Sequence, residues 1–125
     1  MPGVKMFMHA MLIDVDLREK VPEIITSQMS CVVDGENYEL DPDKEIDLMI
    51  FGDTRFIGES PYALTIASGT DVIVEVTGYD YEDRMANIDD RLINIATSIK
   101  ALMGGDPVTV SVTFIPVHQD CWVKI

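Results

Sequence analysis

The sequence predicts an α+β open-faced sandwich, with helices on one face of an antiparallel or mixed sheet of about four to six strands. Three observations predict it. Residues 72–76 form a β-branched run, residues 80–103 carry apolar side chains at spacings of three and four, and residues 108–117 alternate apolar with polar side chains. The chain of 125 residues has the length of one domain, so we expect a single domain over residues 1–125.

Composition restricts the classes of function. The chain is 47% hydrophobic, which is enough for a core, and its 22 acidic against 9 basic side chains give a formal charge of −13. A surface this acidic repels phosphate backbones, so we expect no nucleic-acid partner. No apolar run is long enough to span a membrane. Cys31 and Cys121 do not make a disulfide framework, and we expect a cytoplasmic protein with reduced thiols.

The first half predicts a strand, a helix and two hairpins. Residues 5–15 are typical of a strand, and a helix with Pro22 in its first turn should run to Met29. Residues 30–38 then favour extended structure, with Asp34-Gly35 as a type I′ turn. The acidic segment 34–47 is interpreted as a solvated loop or insertion. A strand at 46–51, a turn at Gly52-Asp53 and a return strand at 55–57 complete this half.

The second half predicts two helices and two strands. Ser60 and Pro61 are typical of a helix start, for a short helix to about residue 66. The strand at 72–76 precedes one long amphipathic helix over 80–103, ended by Gly104-Gly105. The last strand, within about 107–117, contains Pro116 and should lie at a sheet edge, where a second copy of the chain could pair with it.

The middle of the chain resembles the HPr-like phosphocarriers of the sugar phosphotransferase system. The likeness covers residues 45 to about 96 and rests on the segments 59–64 (ESPYAL), 69–72 (GTDV) and 78–82 (GYDYE). The extra strand after Gly105 is foreign to that fold. The positions before Pro22 hold Glu19, Lys20 and Val21 where the family has its phosphoryl-accepting histidine, so a phosphohistidine carrier is excluded.

The resemblance implies a non-catalytic regulatory domain that binds a protein partner. In that reading Ser60 is the candidate phosphorylation site, since phosphate is tolerated at a helix N-terminus, although an ordinary N-cap is the better explanation of this serine. The candidate partner-binding residues are Pro61, Tyr62, Leu64, Glu19 and Arg18.

Pro2 predicts an alternative of a different class. Once Met1 is removed, an N-terminal proline can act as a general base, as in tautomerases, because an apolar site lowers the pKa of its amine. The cations available to such a site are Arg18, Arg55, Arg84 and Arg91. The predicted first strand does not begin directly at the proline, which weighs against this alternative.

Metal and cofactor chemistry finds little support in the sequence. His118 and Cys121 form an H-x-x-C pair, but a closed zinc site needs four ligands, and only His9 and Cys31 could complete it. The alternating acids from Asp41 lack the glycine and final glutamate of a calcium loop. We therefore expect no metal and no cofactor.

Overall fold

The computed structural model describes residues 2–9, 16–53, 71–105 and 107–118. The described elements are, in chain order, β1 (Gly3–His9), α1 (Asp16–Met29), β2 (Cys31–Val33), β3 (Glu36–Tyr38), β4 (Asp47–Asp53), β5 (Val72–Tyr79), α2 (Glu82–Ala86), α3 (Ile88–Leu102) and β6 (Val110–Val117). The α+β class is confirmed. Within these ranges, no helix is long and apolar enough to cross a membrane.

A four-stranded mixed sheet carries the architecture. Its strand order is β4-β1-β5-β6, with β1 parallel to β4, β5 parallel to β6, and the two central strands antiparallel. Each parallel pair is connected through a helix, α1 in the first half and α3 in the second, because parallel neighbours need a crossover. The described chain therefore consists of two β-α-β halves related by an approximate two-fold axis between β1 and β5.

The core lies between one face of this sheet and the two long helices. Val4, Met6 and Met8 alternate with more exposed residues along β1, as do Val72, Val74 and Val76 along β5, so both central strands bury the same face. The helices cover that face with two apolar stripes: Leu17, Val21, Ile25 and Met29 from α1, and Ile95 and Ile99 from α3.

A small two-stranded sheet, β2-β3, follows α1. The Asp34-Gly35 turn has φ of 52° and 80°, as the predicted type I′ turn requires, and it joins strands paired from Cys31 opposite Tyr38 to Val33 opposite Glu36. Part of the predicted acidic loop is therefore a strand. At the end of α3, Gly104 and Gly105 have φ of 97° and 78°, which confirms them as the residues that end the helix.

Several predictions of local structure were wrong. Strand β1 starts at Gly3, directly after Pro2. Helix α1 starts at Asp16, so Pro22 lies inside it and not in its first turn. Gly52 continues β4, because parallel pairing with Met8 of β1 extends that strand to Asp53. The predicted single helix over 80–103 is interrupted at Asn87, whose φ of −137° is not helical.

The strand order also corrects the expected HPr-like core. The last strand is a member of the main sheet, paired in parallel with β5 along its whole length, and not an addition to a smaller fold. Among the strands that the structure describes, it lies at the end of the order β4-β1-β5-β6 and so at an edge, as Pro116 predicted. The return strand at 55–57 and the helix after Ser60 fall outside the described residues.

Candidate functional site

The amino-terminal end of β1 is the end of the sheet at which the chain's elements converge. Since β1 and β4 both start there, the antiparallel strands β5 and β6 both finish there. Helix α1 runs back along β1 and ends at the same place, followed by the β2-β3 hairpin. Helix α2 begins there as well, just after β5. Pro2 lies at this end, so we call it the Pro2 end.

Pro2 is buried on the helix-covered side of the sheet. Its residue is buried, and it continues the alternation of Val4, Met6 and Met8 along β1. Its carbonyl accepts a 3.2 Å hydrogen bond from the Asp47 backbone N–H. The pairing of Gly3 with Thr77 and Val4 with Val76, extended by one residue, sets Pro2 opposite Gly78 of β5.

Arg84 of α2 places a buried positive charge at the Pro2 end of the sheet. Its residue is 1% exposed, and its guanidinium nitrogens donate to two backbone carbonyls. Nε and Nη2 donate to the Met29 oxygen at 3.0 and 2.7 Å, and Nη1 donates to the Tyr79 oxygen at 2.9 Å. Within the described ranges no carboxylate forms an ion pair with it. Burial lowers the pKa of this guanidinium, because desolvation penalises the charged form.

Gly78 makes room for this guanidinium. A Cβ at position 78 would lie 3.1 Å from Nη1 of Arg84 and 3.4 Å from Cε1 of Phe114. On its other side, the Arg84 guanidinium carbon lies 5.3 Å from the centroid of the Tyr81 ring, a cation–π contact. Because Gly78 follows Thr77, the register partner of Gly3, the guanidinium approaches the end of β5 that pairs with the start of β1.

Arg84 and Arg91 also cap the carboxyl end of α1. The last turn of α1 has no basic residue of its own. Arg91 Nη1 donates to the Gln28 and Ser30 oxygens at 2.6 and 2.7 Å, while Arg84 takes the Met29 oxygen. Cations at a helix carboxyl terminus satisfy free carbonyls and oppose the helix dipole. The second half thus supplies the cap that the first half lacks.

Three tyrosines from different elements meet above Arg84. The Tyr81 ring makes edge-to-face contacts with Tyr38 at 6.2 Å and with Tyr79 at 5.7 Å. The Tyr38 hydroxyl donates to Glu45 Oε2 at 3.3 Å. Burial, and then the charge of Glu45, raises the pKa of Tyr38, and burial raises the pKa of Tyr81. The result is an aromatic rim with polar tips, which we call the tyrosine rim.

An acidic groove runs beside the tyrosine rim. It has a volume of about 550 Å³ between the β2-β3 hairpin and the start of α2. Its described lining residues are Val32, Val33, Asp34, Asp80, Tyr81, Glu82, Asp83 and Ala86, which include four carboxylates and no Lys or Arg. Asp83 is held in place by the Val32 backbone N–H, which donates to Oδ2 at 2.7 Å. No group of His, Cys, Asp and Glu in the described ranges could hold a metal ion.

The residues singled out from the sequence fall in different places. Arg18 and Glu19 are exposed on the first half of α1, at the end of the sheet away from Pro2. Ser60, Pro61, Tyr62 and Leu64 lie outside the described residues, as do Arg55 and Cys121, and Ser60 phosphorylation stays a prediction. Pro2 and Arg84, named for the alternative reading, are brought together. The sequence showed the chemistry of each residue but not that the two lie at the same end of the sheet. They are 82 residues apart in the chain, and local patterns do not determine strand register.

Comparison with known proteins places this architecture in a recognised fold. No family profile matches the chain, and no curated protein matches it. Solved structures do match. A fused 4-OT described as a wild-type asymmetric trimer superposes with a TM-score of 0.65 at 9% identity, covering 98% of this chain and 91% of that one. N1, a member of the cis-3-chloroacrylic acid dehalogenase family, gives 0.65 at 15% identity, covering 98% and 79%.

A third similar structure is a 5-carboxymethyl-2-hydroxymuconate delta-isomerase, with a TM-score of 0.55 at 14% identity, covering 100% of this chain and 87% of that one. These neighbours have tautomerase-superfamily folds, not HPr-like ones. The HPr-like resemblance, and the regulatory, non-catalytic reading drawn from it, were therefore wrong. At these identities the likeness shows the fold alone.

Proposed function

We propose that this protein is a small tautomerase or isomerase that uses the amine of Pro2 as its general base. The observation that carries the proposal is the position of Pro2. It is buried, it directly precedes β1, and it lies opposite the glycine that accommodates Arg84. The fold shared with a 4-OT and with a muconate isomerase supports the same conclusion.

The chemistry needs a free amine, and therefore removal of Met1. The nitrogen lone pair of Pro2 takes the O–H proton of an enol, and the electron pair left on oxygen forms the C=O bond as the C=C bond opens. The resulting carbanionic carbon takes a proton back from the prolinium. One proton moves from oxygen to carbon, the amine is regenerated, and no oxidant, reductant or cofactor is consumed.

Arg84 supports this reaction through its charge. A buried guanidinium at the end of β5 that pairs with the start of β1 disfavours a second positive charge on the Pro2 amine, which favours the free base.

The test compares protein with a free Pro2 amine and protein that carries an uncleavable amino-terminal extension. We expect the extension to lower kcat/KM for ketonisation of phenylenolpyruvate by about 100-fold or more, since a positioned base contributes about that factor. Intact mass establishes whether Met1 is absent. Lys20→Ala, an exposed change on the first half of α1, away from Pro2, is the control. Unchanged turnover by the extended protein would eliminate the proline mechanism.

We also propose that copies of the chain associate through the face of the sheet opposite the helices. Met49 and Phe51 of β4 are 50% and 45% exposed there, and Ile115 of β6 is 42% exposed. The Phe51 ring stacks on Phe7 at 5.1 Å. Exposed apolar side chains on both outer strands of the described sheet favour an interface there, and one structural neighbour is described as a trimer. The edge of β6 stays an alternative site of self-association.

Native mass spectrometry of two lysine variants tests this assembly. Phe51→Lys places a charge on the open face and should dissociate the oligomer. Ile93→Lys is the matched control, because Ile93 is 61% exposed on α3, in the helical layer. Equal dissociation by both variants, or by neither, would contradict an interface on the open face.

A further inference from the structure

The segment that joins the β2-β3 hairpin to β4, residues 39–46, carries an inference about how the proposed base is held in place. We call it the connecting segment. We infer that Asp41 is a positioning residue for Pro2: its carboxylate closes the turn that fixes the start of β4, and the start of β4 holds Pro2. The inference rests on the proposed function, and it assigns Asp41 no contact with the substrate.

The carbonyl of Pro2 is the backbone group that can anchor this residue. The nitrogen of a proline base must stay free for proton transfer, so it cannot also be tied into the sheet. The carbonyl accepts the 3.2 Å hydrogen bond from the Asp47 N–H, and the next residue, Gly3, pairs with Asp47 in the parallel ladder. Terminal residues are poorly ordered unless such contacts hold them. The position of Pro2 therefore depends on where β4 begins.

The other end of the connecting segment is anchored to helix α1. Leu40 is 7% exposed and belongs to the hydrophobic core, and its N–H donates to Ser30 Oγ at 3.2 Å. The Ser30 hydroxyl in turn donates to the Thr26 oxygen of α1 at 2.7 Å. Since α1 ends at the Pro2 end of the sheet, the connecting segment starts from a fixed point there.

Asp41 determines the path of the chain between these two anchors. Its Oδ1 accepts from the Asp43 N–H at 2.9 Å, and its carbonyl accepts from the N–H groups of Lys44 and Glu45 at 3.2 and 2.8 Å. A carboxylate that accepts from the backbone two residues further on closes an Asx turn. The side chain of Asp41 therefore holds the connecting segment in one turn conformation.

Little freedom remains between this turn and Pro2. Pro42 fixes one backbone angle inside the turn, because its ring restricts φ. Ile46, the one residue between Glu45 and Asp47, packs against the hydrophobic core. Opening of the turn would therefore displace the Asp47 N–H, and Pro2 would either lose this donor or move with it.

Turnover of phenylenolpyruvate by three variants tests the inference. Asp41→Ala removes the acceptor of the Asp43 N–H. We expect kcat to fall about fivefold with KM within about twofold, since a displaced base slows proton transfer more than it weakens binding. Asp41→Asn keeps an acceptor oxygen and removes the charge, so its kcat should stay within about twofold of that of the unchanged protein. Asp43→Asn, which removes a neighbouring carboxylate and keeps the N–H donor, is the matched control.

Two results would overturn the inference. One is an unchanged kcat in Asp41→Ala, or an equal fall in Asp41→Asn. The other is a rise in KM without a fall in kcat, because that pattern belongs to substrate binding and not to the base. Asp41→Ser, whose hydroxyl closes the same kind of turn more weakly, should have an intermediate kcat, and it takes the place of Asp41→Ala if that variant does not fold.

Amide hydrogen exchange separates this inference from the proposed function. If blocking Pro2 leaves turnover unchanged, the proposed function fails, but exchange of the Asp47 N–H, measured by NMR, still reports on its contact with Pro2. Asp41→Ala should speed this exchange by about threefold or more relative to Asp41→Asn. The Val74 N–H of the central strand β5 is the reference for global unfolding. Equal exchange of Asp47 in the two variants would overturn the positioning role.

Discussion

The two β-α-β halves begin with different residues. Pro2 directly precedes β1 and Asp71 directly precedes β5, and because these strands are antiparallel the two residues lie at opposite ends of the sheet. Pro2 provides a basic amine once Met1 is removed. The Asp71 nitrogen is an amide inside the chain, whose lone pair is delocalised and not basic. The same frame therefore supports an amine base at one end of the sheet only.

The far end is closed by hydrogen bonds instead. Asp71 Oδ2 accepts from the Thr109 backbone N–H at 2.9 Å and from Thr109 Oγ1 at 3.1 Å, and the Asp71 N–H donates back to Thr109. These bonds join the starts of β5 and β6, the parallel pair of the second half. The comparison teaches that the starts of the two central strands differ in chemistry: one is tied by side-chain hydrogen bonds, and the other holds the proline to which we assign the proposed base.

Replacement of Arg84 should cause the largest loss of stability, since its side chain links the two halves. Arg84→Ala leaves the buried Met29 carbonyl and the partly buried Tyr79 carbonyl without their donors and opens a cavity. We expect a loss of about 3 kcal/mol of unfolding free energy, measured by urea denaturation. Arg91→Ala is the comparison and should cost less, because its side chain is partly exposed. A larger loss for Arg91→Ala would contradict this ranking.

Gly78→Ala should cause the next largest loss of stability. The new Cβ would lie 3.1 Å from Arg84 Nη1, so the guanidinium or β5 must shift. We expect a loss of about 1–2 kcal/mol and reduced turnover. Gly3→Ala is the matched control, because its Cβ would meet only Thr77 Cβ at 3.9 Å. Equal stability of the two variants would mean that Arg84 is not confined at Gly78.

Asp71→Ala tests the difference between the two ends directly. It removes the acceptor of the Thr109 N–H at an exposed position, and we expect a loss of about 1 kcal/mol with kcat/KM unchanged. Thr109→Ser retains the hydroxyl and should be near neutral. A fall in kcat/KM comparable to that from blocking Pro2 would show that the far end takes part in catalysis.

Tyr38 should give the smallest effect. It belongs to the β2-β3 hairpin, which has no counterpart in the part of the second half that the structure describes. Its raised pKa means that the folded state holds the phenolic proton more tightly than the unfolded state. The stabilisation is therefore complete below the unfolded pKa of 10.0 and is lost as the pH rises through the higher folded pKa. Tyr38→Phe should flatten the decline of the urea midpoint above pH 10.0. If the urea midpoint of Tyr38→Phe declined with pH as steeply as that of the unchanged protein, Tyr38 would not contribute to the pH dependence of stability.

Local signals in the sequence predicted much of this fold. The structure confirms four of them: the helical period of α3, the β-branched strand β5, the turn at Asp34 and the glycines that end the helix after Leu102. They were predictable because periodicity, propensity and positive φ depend on residues close together in the chain. The same local order of strands and helices fits more than one fold, which explains how an HPr-like core was inferred in error.

The sequence by itself thus determined the class of the fold, the acidic composition, and the presence of a proline at position 2 and a small set of arginines. Only the tertiary structure decided that β1 pairs with both β4 and β5, that Pro2 therefore lies opposite Gly78, and that Arg84 reaches the end of α1. The physical reason is that pairing partners and register are set by burial of whole faces across the sheet, a sum over distant residues that no local pattern contains.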